Sequence, residues 1–67
     1  MDIRQRLATN LRMARQQKGW SQEQLAFEAD IHRTYISDLE RGFRNPTITV
    51  VDRLAKALKM SVGDLLD

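Results

Sequence analysis

Residues that favour the start or the end of a helix recur along this chain, and their positions limit the fold more than any other feature of the sequence. Ser21, Thr47 and Ser61 are favourable N-cap residues, and Gly19 and Gly42 are favourable residues at which to end a helix. Between these positions, apolar residues recur at spacings of three and four, the period of an amphipathic helix. The pattern predicts short helices joined by tight turns.

The first three predicted helices occupy the N-terminal two thirds of the chain. The first begins near Ile3 and ends near Gly19, and the second follows Ser21, with Gln24 at the capping-box position. The third begins after His32, which stands at the cap position. Their apolar positions are Ile3, Leu7, Leu11, Ala14, Leu25, Ala26, Ala29, Ile36 and Leu39.

Two further helices are predicted after the loop "FRNP". Thr47 caps the fourth helix, and Ser61 with Asp64 has the spacing of a capping box before the short fifth segment "VGDLL". The apolar face of the fourth helix is Ile48, Val51, Leu54, Ala55 and Leu58. The sequence therefore predicts an all-α fold, a compact five-helix bundle that forms a single domain over residues 1–67.

Composition narrows the possible environments. The sequence has no Cys, so it has no disulfide framework and no thiolate metal site, which favours a reducing compartment. No apolar run approaches the roughly 20 residues of a membrane span, and the charged first turn lacks the apolar region of a signal peptide. We expect a soluble, cytoplasmic protein with no membrane partner.

Charge is unevenly distributed along a chain whose formal net charge is only +2. Residues 1–20 hold five basic residues and one acidic residue, whereas residues 21–38 hold one basic and four acidic residues. A mildly basic net charge does not by itself identify a nucleic-acid partner. Any site for a polyanion must therefore be local.

The stretch "IHRTYISDLERG" places a polar stripe opposite Ile36 and Leu39 on the third predicted helix. At about 100° per residue, the stripe consists of Thr34, Ser37, Asp38 and Arg41. An ordinary solvated face is one interpretation, although long Glu and Lys side chains usually supply it. This stripe instead mixes short donors and acceptors, so recognition of a ligand is the other interpretation.

The second and third predicted helices are separated by a tight turn, which is the helix-turn-helix arrangement. The stretches "WSQEQLAFEADIHRTYISDLERGFRNPTI" and "LAKALKMSVGDLL" resemble the XRE family of DNA-binding domains, which includes phage repressors and Cro. The resemblance covers nearly the whole chain. Within the family, "HRTYISDLERGFRN" is most similar to the controller proteins of restriction-modification systems.

The resemblance implies which residues contact DNA bases. In the family, the start and outer stripe of the third helix face base edges, which matches Arg33, Thr34, Ser37 and Asp38. Arg33 suits guanine, Asp38 suits the N4 amine of cytosine, and Thr34 suits a thymine methyl or a base edge. Arg44, in the loop after the helix, is expected to project towards bases as well.

The same resemblance assigns contacts with the DNA backbone. Gln22 is expected to grip a phosphate near the positive end of the second helix. Tyr35 would donate to a phosphate or stack on a distorted step, and Arg41 and Asn45 match a backbone-contacting "RGxRN" segment. The family more often has Ser, Thr or Asp where His32 stands, so capping and backbone contact both remain open for this residue.

An ion pair is predicted inside the domain. Glu40 projects on the same side as Ile36, so a charge lies near the core and requires a partner. In the family, the matching Glu pairs with an Arg of the first helix, and Arg15 occupies that position here. We interpret Arg15 and Glu40 as structural, whereas Arg12 is interpreted as solvated surface.

A homodimer is expected because one helix in one major groove gives a small interface. The C-terminal end of the chain is rich in apolar residues, and the family often pairs through this region. Val62 and Leu66 are the predicted dimer interface. Leu58 and Leu65 are interpreted as closing the core of the monomer instead.

The predicted function is a sequence-specific transcriptional regulator on a palindromic double-stranded DNA operator, without catalytic activity, metal or cofactor. His32, Ser37 and Asp38 supply triad residue types within one short stretch, but no phosphate loop or paired metal ligands accompany them. The sequence leaves open whether the protein controls restriction-modification genes, including its own, and whether it contacts RNA polymerase.

The alternative is a protein-interaction module, such as an antitoxin-like regulator or phage-type repressor whose main partner is another protein. Phe27 motivates it, since this aromatic residue lies away from the apolar face of the second helix and exposed aromatics mark interfaces.

Overall fold

The computed structural model describes residues 2–67, which form five helices. They are α1 (Ile3–Gln17), α2 (Gln22–Ala29), α3 (Arg33–Glu40), α4 (Ile48–Leu58) and α5 (Val62–Leu66). The described residues contain no strand, and the predicted all-α bundle of five helices is confirmed. None of the five helices has both the length and the apolar composition needed to cross a membrane.

One hydrophobic core joins all five helices. Helix α1 packs against α3 and α5, α2 packs against α3 and α4, and α4 packs against α5. Every helix contributes at least one fully buried large side chain, each of which stabilises the fold by about 1.5–3 kcal/mol relative to leaving it exposed. These side chains are Leu11, Leu25, Ile36, Leu39, Leu54 and Leu65.

Side chains cap the helices where the sequence predicts. The Ser21 hydroxyl accepts from the Gln24 backbone N–H at 3.0 Å, and the Thr47 hydroxyl accepts from the Val50 N–H at 3.2 Å. Ser61 and Asp64 form a reciprocal capping box. At Ser21 the predicted capping box is wrong, because the Gln24 amide donates to Glu28 at 2.8 Å instead.

Two apolar residues predicted to face the core are exposed. Ile48 is 85% exposed and Ile3 is 54% exposed. Each is the first residue of its helix, and at that end no preceding turn covers the side chain. The core therefore begins one turn later in each helix, at Leu7 and Val51.

Candidate nucleic-acid interface

Helices α2 and α3 are joined by a turn of three residues, Asp30, Ile31 and His32. Asp30 adopts a left-handed backbone conformation, with φ at 56°, which Asp tolerates better than most residues. The Ile31 N–H then donates to the Ala26 carbonyl at 2.9 Å, which closes the end of α2. This turn directs α3 across α2 and fixes the helix-turn-helix.

The start of α3 presents its polar side chains to solvent. Arg33 and Thr34 are exposed, while Ser37 and Asp38 are half-buried. His32 caps the helix, since its Nδ1 accepts from the Thr34 backbone N–H at 3.1 Å. Nδ1 is the acceptor nitrogen of the ring and makes this bond. His32 is therefore the N-cap of α3, as its position in the sequence predicts.

Arg44 lies over the flank of α3, although it comes from the loop that follows. Its guanidinium stands 4.4 Å from the centroid of the Tyr35 ring, and its Nη2 donates to Asp38 Oδ2 at 3.2 Å. The structure therefore brings together one predicted backbone contact and two predicted base contacts. Asp38 is already an acceptor for Arg44 within the protein.

Gly42 sets the path of this loop. Its φ of 73° ends α3 in a left-handed turn, in which the Phe43 N–H donates to the Asp38 carbonyl at 2.9 Å and the Gly42 N–H to the Leu39 carbonyl at 3.1 Å. An added Cβ at Gly42 would lie 2.6 Å from the Gln5 amide nitrogen. Glycine therefore meets the conformational requirement here, whereas the end of the exposed Gln5 side chain could move aside for a Cβ.

Arg41 and Phe43 flank this glycine. The Arg41 guanidinium lies 4.4 Å from the centroid of the Phe43 ring, a distance typical of a cation–π contact. Both side chains are exposed. Two Arg–aromatic pairs thus lie along α3 and the loop that follows it. The sequence did not predict these pairs.

Glu40 is the buried acceptor that ties three helices together. Its side chain is only 1% exposed, and it accepts from Arg15 Nε at 2.6 Å and Nη2 at 2.9 Å. The Gln22 amide, at the start of α2, donates to Glu40 Oε1 at 3.2 Å. Hydrogen bonding to Glu40 raises the pKa of Arg15, so the guanidinium stays charged.

Gln22 therefore has a partner within the protein, although the sequence suggests a phosphate ligand for it. A primary amide has two N–H donors, and this bond to Glu40 uses one of them. A phosphate at the N-terminus of α2 would accept a hydrogen bond from the second N–H. Gln22 therefore joins the buried hydrogen bonds of Glu40 to the N-terminus of α2.

Arg12 does more than the solvated role predicted for it. Its Nη2 donates to the Glu40 backbone carbonyl at 3.0 Å, and its Nε lies 3.7 Å from Glu40 Oε1. Arg12 thus satisfies a carbonyl at the C-terminal end of α3, where a cation is favourable. Its spacing of three residues from Arg15 was the available signal, because residues at i and i+3 share a helix face.

An apolar groove lies at the side of the domain, next to the loop after α3. Ile48 and Ile3 are its exposed apolar residues. The groove is lined by Ile3, Leu7, Pro46, Ile48, Val51 and Leu66, with Asn45 and Arg4 at its edge. Both predicted dimer residues, Val62 and Leu66, are half-buried and pack against the core, and Leu66 also lines this groove.

A helix-turn-helix with a polar, solvent-facing second helix is the arrangement that enters a DNA major groove. A family model described as helix-turn-helix matches residues 11–65. The chain belongs to this helix-turn-helix family.

Similar proteins carry names from restriction-modification systems. The chain is 50% identical over 66 residues to the control protein C.SmaI of Serratia marcescens, covering 98% of this chain and 79% of that protein. It is 57% identical over 47 residues to the control protein C.BamHI of Bacillus amyloliquefaciens, covering 70% of this chain and 58% of that protein. The predicted resemblance to controller proteins is confirmed.

The fold is similar to that of a solved controller protein. The restriction-modification controller protein C.AhdI of Aeromonas hydrophila is 37% identical, with a TM-score of 0.89. The likeness covers 92% of this chain and 94% of that chain. The match thus extends well beyond the helix-turn-helix.

Proposed function

We propose that this chain is a sequence-specific DNA-binding transcriptional regulator that inserts α3 into the major groove of an operator. One observation carries the proposal: α3 buries Ile36 and Leu39 in the core while Arg33 and Thr34 stand exposed at its start. Side chains at the start of the second helix are those that reach base edges when a helix-turn-helix docks.

Base recognition is assigned to the exposed residues of α3 and to the following loop. Arg33 carries a planar fork of donors that matches O6 and N7 of guanine, and Thr34 offers both a methyl and a hydroxyl group. Ser37 lies one turn further along the same face and can donate or accept. Arg44 adds a second guanidinium at the flank of α3.

Contacts with the DNA backbone are assigned to residues around this helix. The second N–H of Gln22 would donate to a phosphate at the N-terminus of α2, where the helix dipole also favours an anion. Arg41, Asn45 and the hydroxyl of Tyr35 would contact the strand on the other side of the groove. His32, which caps α3, would position the helix rather than contact DNA.

A homodimer is part of the proposal, and the apolar groove is its interface. Ile48 is 85% exposed on a groove whose lining is almost entirely apolar, and a second copy of the same groove would cover it. Asn45 and Pro46 line this groove and follow Arg44 directly in the chain, so the proposed interface adjoins residues assigned to DNA contact. This interface includes the predicted residue Leu66 but is centred on Ile48 rather than Val62.

The names of the relatives suggest which genes are controlled. C.SmaI and C.BamHI are named control proteins, and C.AhdI is named a restriction-modification controller. We propose that this chain likewise regulates restriction-modification genes, including its own. Activation or repression would then depend on where the operator lies relative to RNA polymerase. No catalytic step belongs to the proposal.

The alternative function, a protein-interaction module, is favoured by Phe27. This side chain is 80% exposed on α2; it lies outside the apolar groove and beside the turn that leads to α3. An exposed aromatic residue of this size is typical of an interface with another protein.

Selection from a random library of DNA duplexes at physiological salt tests the proposed function. We expect enrichment of a two-fold symmetric site, with affinity for that site far above the affinity for scrambled DNA of equal length. Weak binding that depends steeply on salt, without enrichment, would contradict sequence-specific regulation and direct attention to Phe27. An enriched site without symmetry would contradict the dimer.

A further inference from the structure

The contact between Asp38 and Arg44 suggests a division of labour within the recognition surface. Asp38 is a residue of α3, whereas Arg44 belongs to the loop beyond Gly42. The two meet through one hydrogen bond of 3.2 Å between Arg44 Nη2 and Asp38 Oδ2. Their side chains are 46% exposed for Arg44 and 26% exposed for Asp38, so this ion pair is at the surface.

Arg44 is held on two sides. The Tyr35 ring supports the flat face of its guanidinium at 4.4 Å, while Asp38 binds one N–H at its edge. Tyr35 and Asp38 are three residues apart on α3 and so occupy neighbouring positions on one face. An arginine has five N–H donors in a rigid plane, so several donors remain for a ligand after this bond forms.

The orientation of the Arg44 guanidinium matters for recognition of a base. Bidentate recognition of guanine requires two parallel N–H groups in a defined orientation, and a side chain already ordered in the free protein loses less entropy on binding. A loop arginine without such support would sample many orientations. The Tyr35 and Asp38 contacts favour one of them.

Asp38 is poorly placed to recognise a base by itself. Its side chain is 26% exposed against 46% for Arg44, and Oδ2 already accepts from Arg44, which leaves Oδ1 as the oxygen available to a base. A carboxylate facing DNA phosphates is also repelled unless a cation neutralises it, and Arg44 supplies that cation. The pair therefore functions best as one unit.

We propose that Asp38 is a positioning residue, which sets the base preference of the protein by orienting Arg44 and not by contacting a base. The proposal rests on the proposed function, since it assigns a role within DNA recognition. It replaces the contact with cytosine that the sequence suggests for Asp38. Specificity at one base pair then depends on three residues, of which only Arg44 contacts the base.

A double-mutant cycle on the selected operator tests this assignment. Affinities of the wild type, Asp38→Ala, Arg44→Ala and the double variant are measured for the operator and for every single-base-pair substitution of it. We expect Asp38→Ala and Arg44→Ala to relax preference at the same base pair, by about tenfold or more. The double variant should then match Arg44→Ala alone.

Relaxation at two different base pairs with additive losses would overturn the proposal, because Asp38 would then read a base by itself. An unchanged preference in Asp38→Ala would overturn it too. A wild-type chain that selects no operator would instead contradict the proposed function. The two failures are therefore distinguishable in one data set.

Two controls separate the role of Asp38 from a general loss of negative surface charge. Asp52→Ala removes another surface carboxylate, which pairs with Lys56 at 3.1 Å on α4, and it should leave base preference unchanged. Asp38→Asn keeps the shape and one acceptor oxygen, so it should relax the same base pair less than Asp38→Ala. Relaxation by Asp52→Ala, or relaxation of another base pair by Asp38→Asn, would count against the proposal.

Discussion

Arg15 of α1 and Glu40 of α3 form a two-point ion pair, with Arg15 Nε 2.6 Å from Glu40 Oε2 and Nη2 2.9 Å from Oε1. Arg15 also donates from Nη1 to the Trp20 carbonyl at 2.8 Å, just before α2 begins. One side chain thus links α1, the start of the helix-turn-helix and the end of its second helix. The orientation of α3 relative to α1 depends on this pair.

Glu40→Ala is expected to destabilise the domain by about 3–5 kcal/mol, because it leaves Arg15 without its partner in a site that is largely closed to solvent. That is a large fraction of the total stability of a small domain. Urea unfolding followed by circular dichroism measures the loss. Asp52→Ala, which breaks an exposed pair with Lys56, should cost less than about 1 kcal/mol; equal losses would contradict a structural role for Glu40.

The stabilisation from Arg15 should not depend on pH between 7 and 10. Glu40 raises the pKa of Arg15 above its already high ordinary value. A raised pKa means that the stabilisation is complete below the unfolded-state pKa and is lost only as pH rises through the folded-state pKa. The difference in unfolding free energy between wild type and Glu40→Gln should therefore be equal at pH 7 and pH 10. A difference that shrinks at pH 10 would contradict this assignment.

The sequence predicted the helices well because their signals are local. Caps such as Ser21, Thr47 and Ser61 act within a few residues, and the spacing of Leu11, Leu25 and Leu54 needs only the helical period. Ile48 shows where this fails: period alone cannot tell the first turn of a helix from its interior. Its exposure depends on which helices cover the N-terminus of α4.

The candidate site was predictable as a set of residues but not as a set of contacts. The stripe on α3 follows from helical period, and the roles of its members came from family resemblance. The bonds of Asp38 to Arg44 and of Gln22 to Glu40 depend on loop path and helix packing. Sequence spacing does not encode these distances, so the partners of both residues were not foreseen.

Lys59→Gly is expected to stabilise the protein by about 0.5–1 kcal/mol. Lys59 ends α4 with φ at 57°, a left-handed conformation that costs an L-residue roughly 1–2 kcal/mol. Glycine adopts this conformation without strain, although it loses more chain entropy on folding. Thermal unfolding would show the gain. As a control, Lys56→Gly, inside α4, should destabilise by about 1 kcal/mol, and a loss from both variants would contradict the expectation.

Arg33→Ala and Gln22→Ala should affect DNA binding in different ways. Loss of Arg33 should remove about 1–3 kcal/mol of discrimination at one base pair, because a bidentate contact is lost. Loss of Gln22 should weaken binding to every sequence to a similar extent, because a phosphate contact carries no sequence information. Titrations of the operator and of scrambled DNA measure both effects.

Gln22→Ala needs a folding control, since its amide also donates to the buried Glu40. Removing one such bond costs about 1–3 kcal/mol of stability when the acceptor is charged. Titrations must therefore be made at a temperature at which unfolding curves show the variant to be folded. Equal losses on operator and scrambled DNA for both variants would contradict the division between base and backbone contacts.

Ile48→Ser should convert the proposed dimer into monomers with little loss of monomer stability. The side chain is 85% exposed in the single chain, so the substitution removes few contacts within the monomer, whereas it places a hydroxyl at the centre of the proposed interface. Burial of an Ile side chain in each partner contributes about 1.5–3 kcal/mol, so two such losses weaken association by about one hundredfold or more. Sedimentation equilibrium over a range of protein concentrations measures the shift.

Phe27→Ser is the matched control for that experiment. Phe27 is 80% exposed but lies on α2, outside the groove that Ile48 lines. We expect this variant to dimerise like the wild type and to bind the operator with unchanged affinity, whereas Ile48→Ser should bind the symmetric operator more weakly and a half-site equally well. Dissociation by Phe27→Ser but not by Ile48→Ser would place the interface on α2, and the geometry of the two α3 helices on DNA would then have to be different.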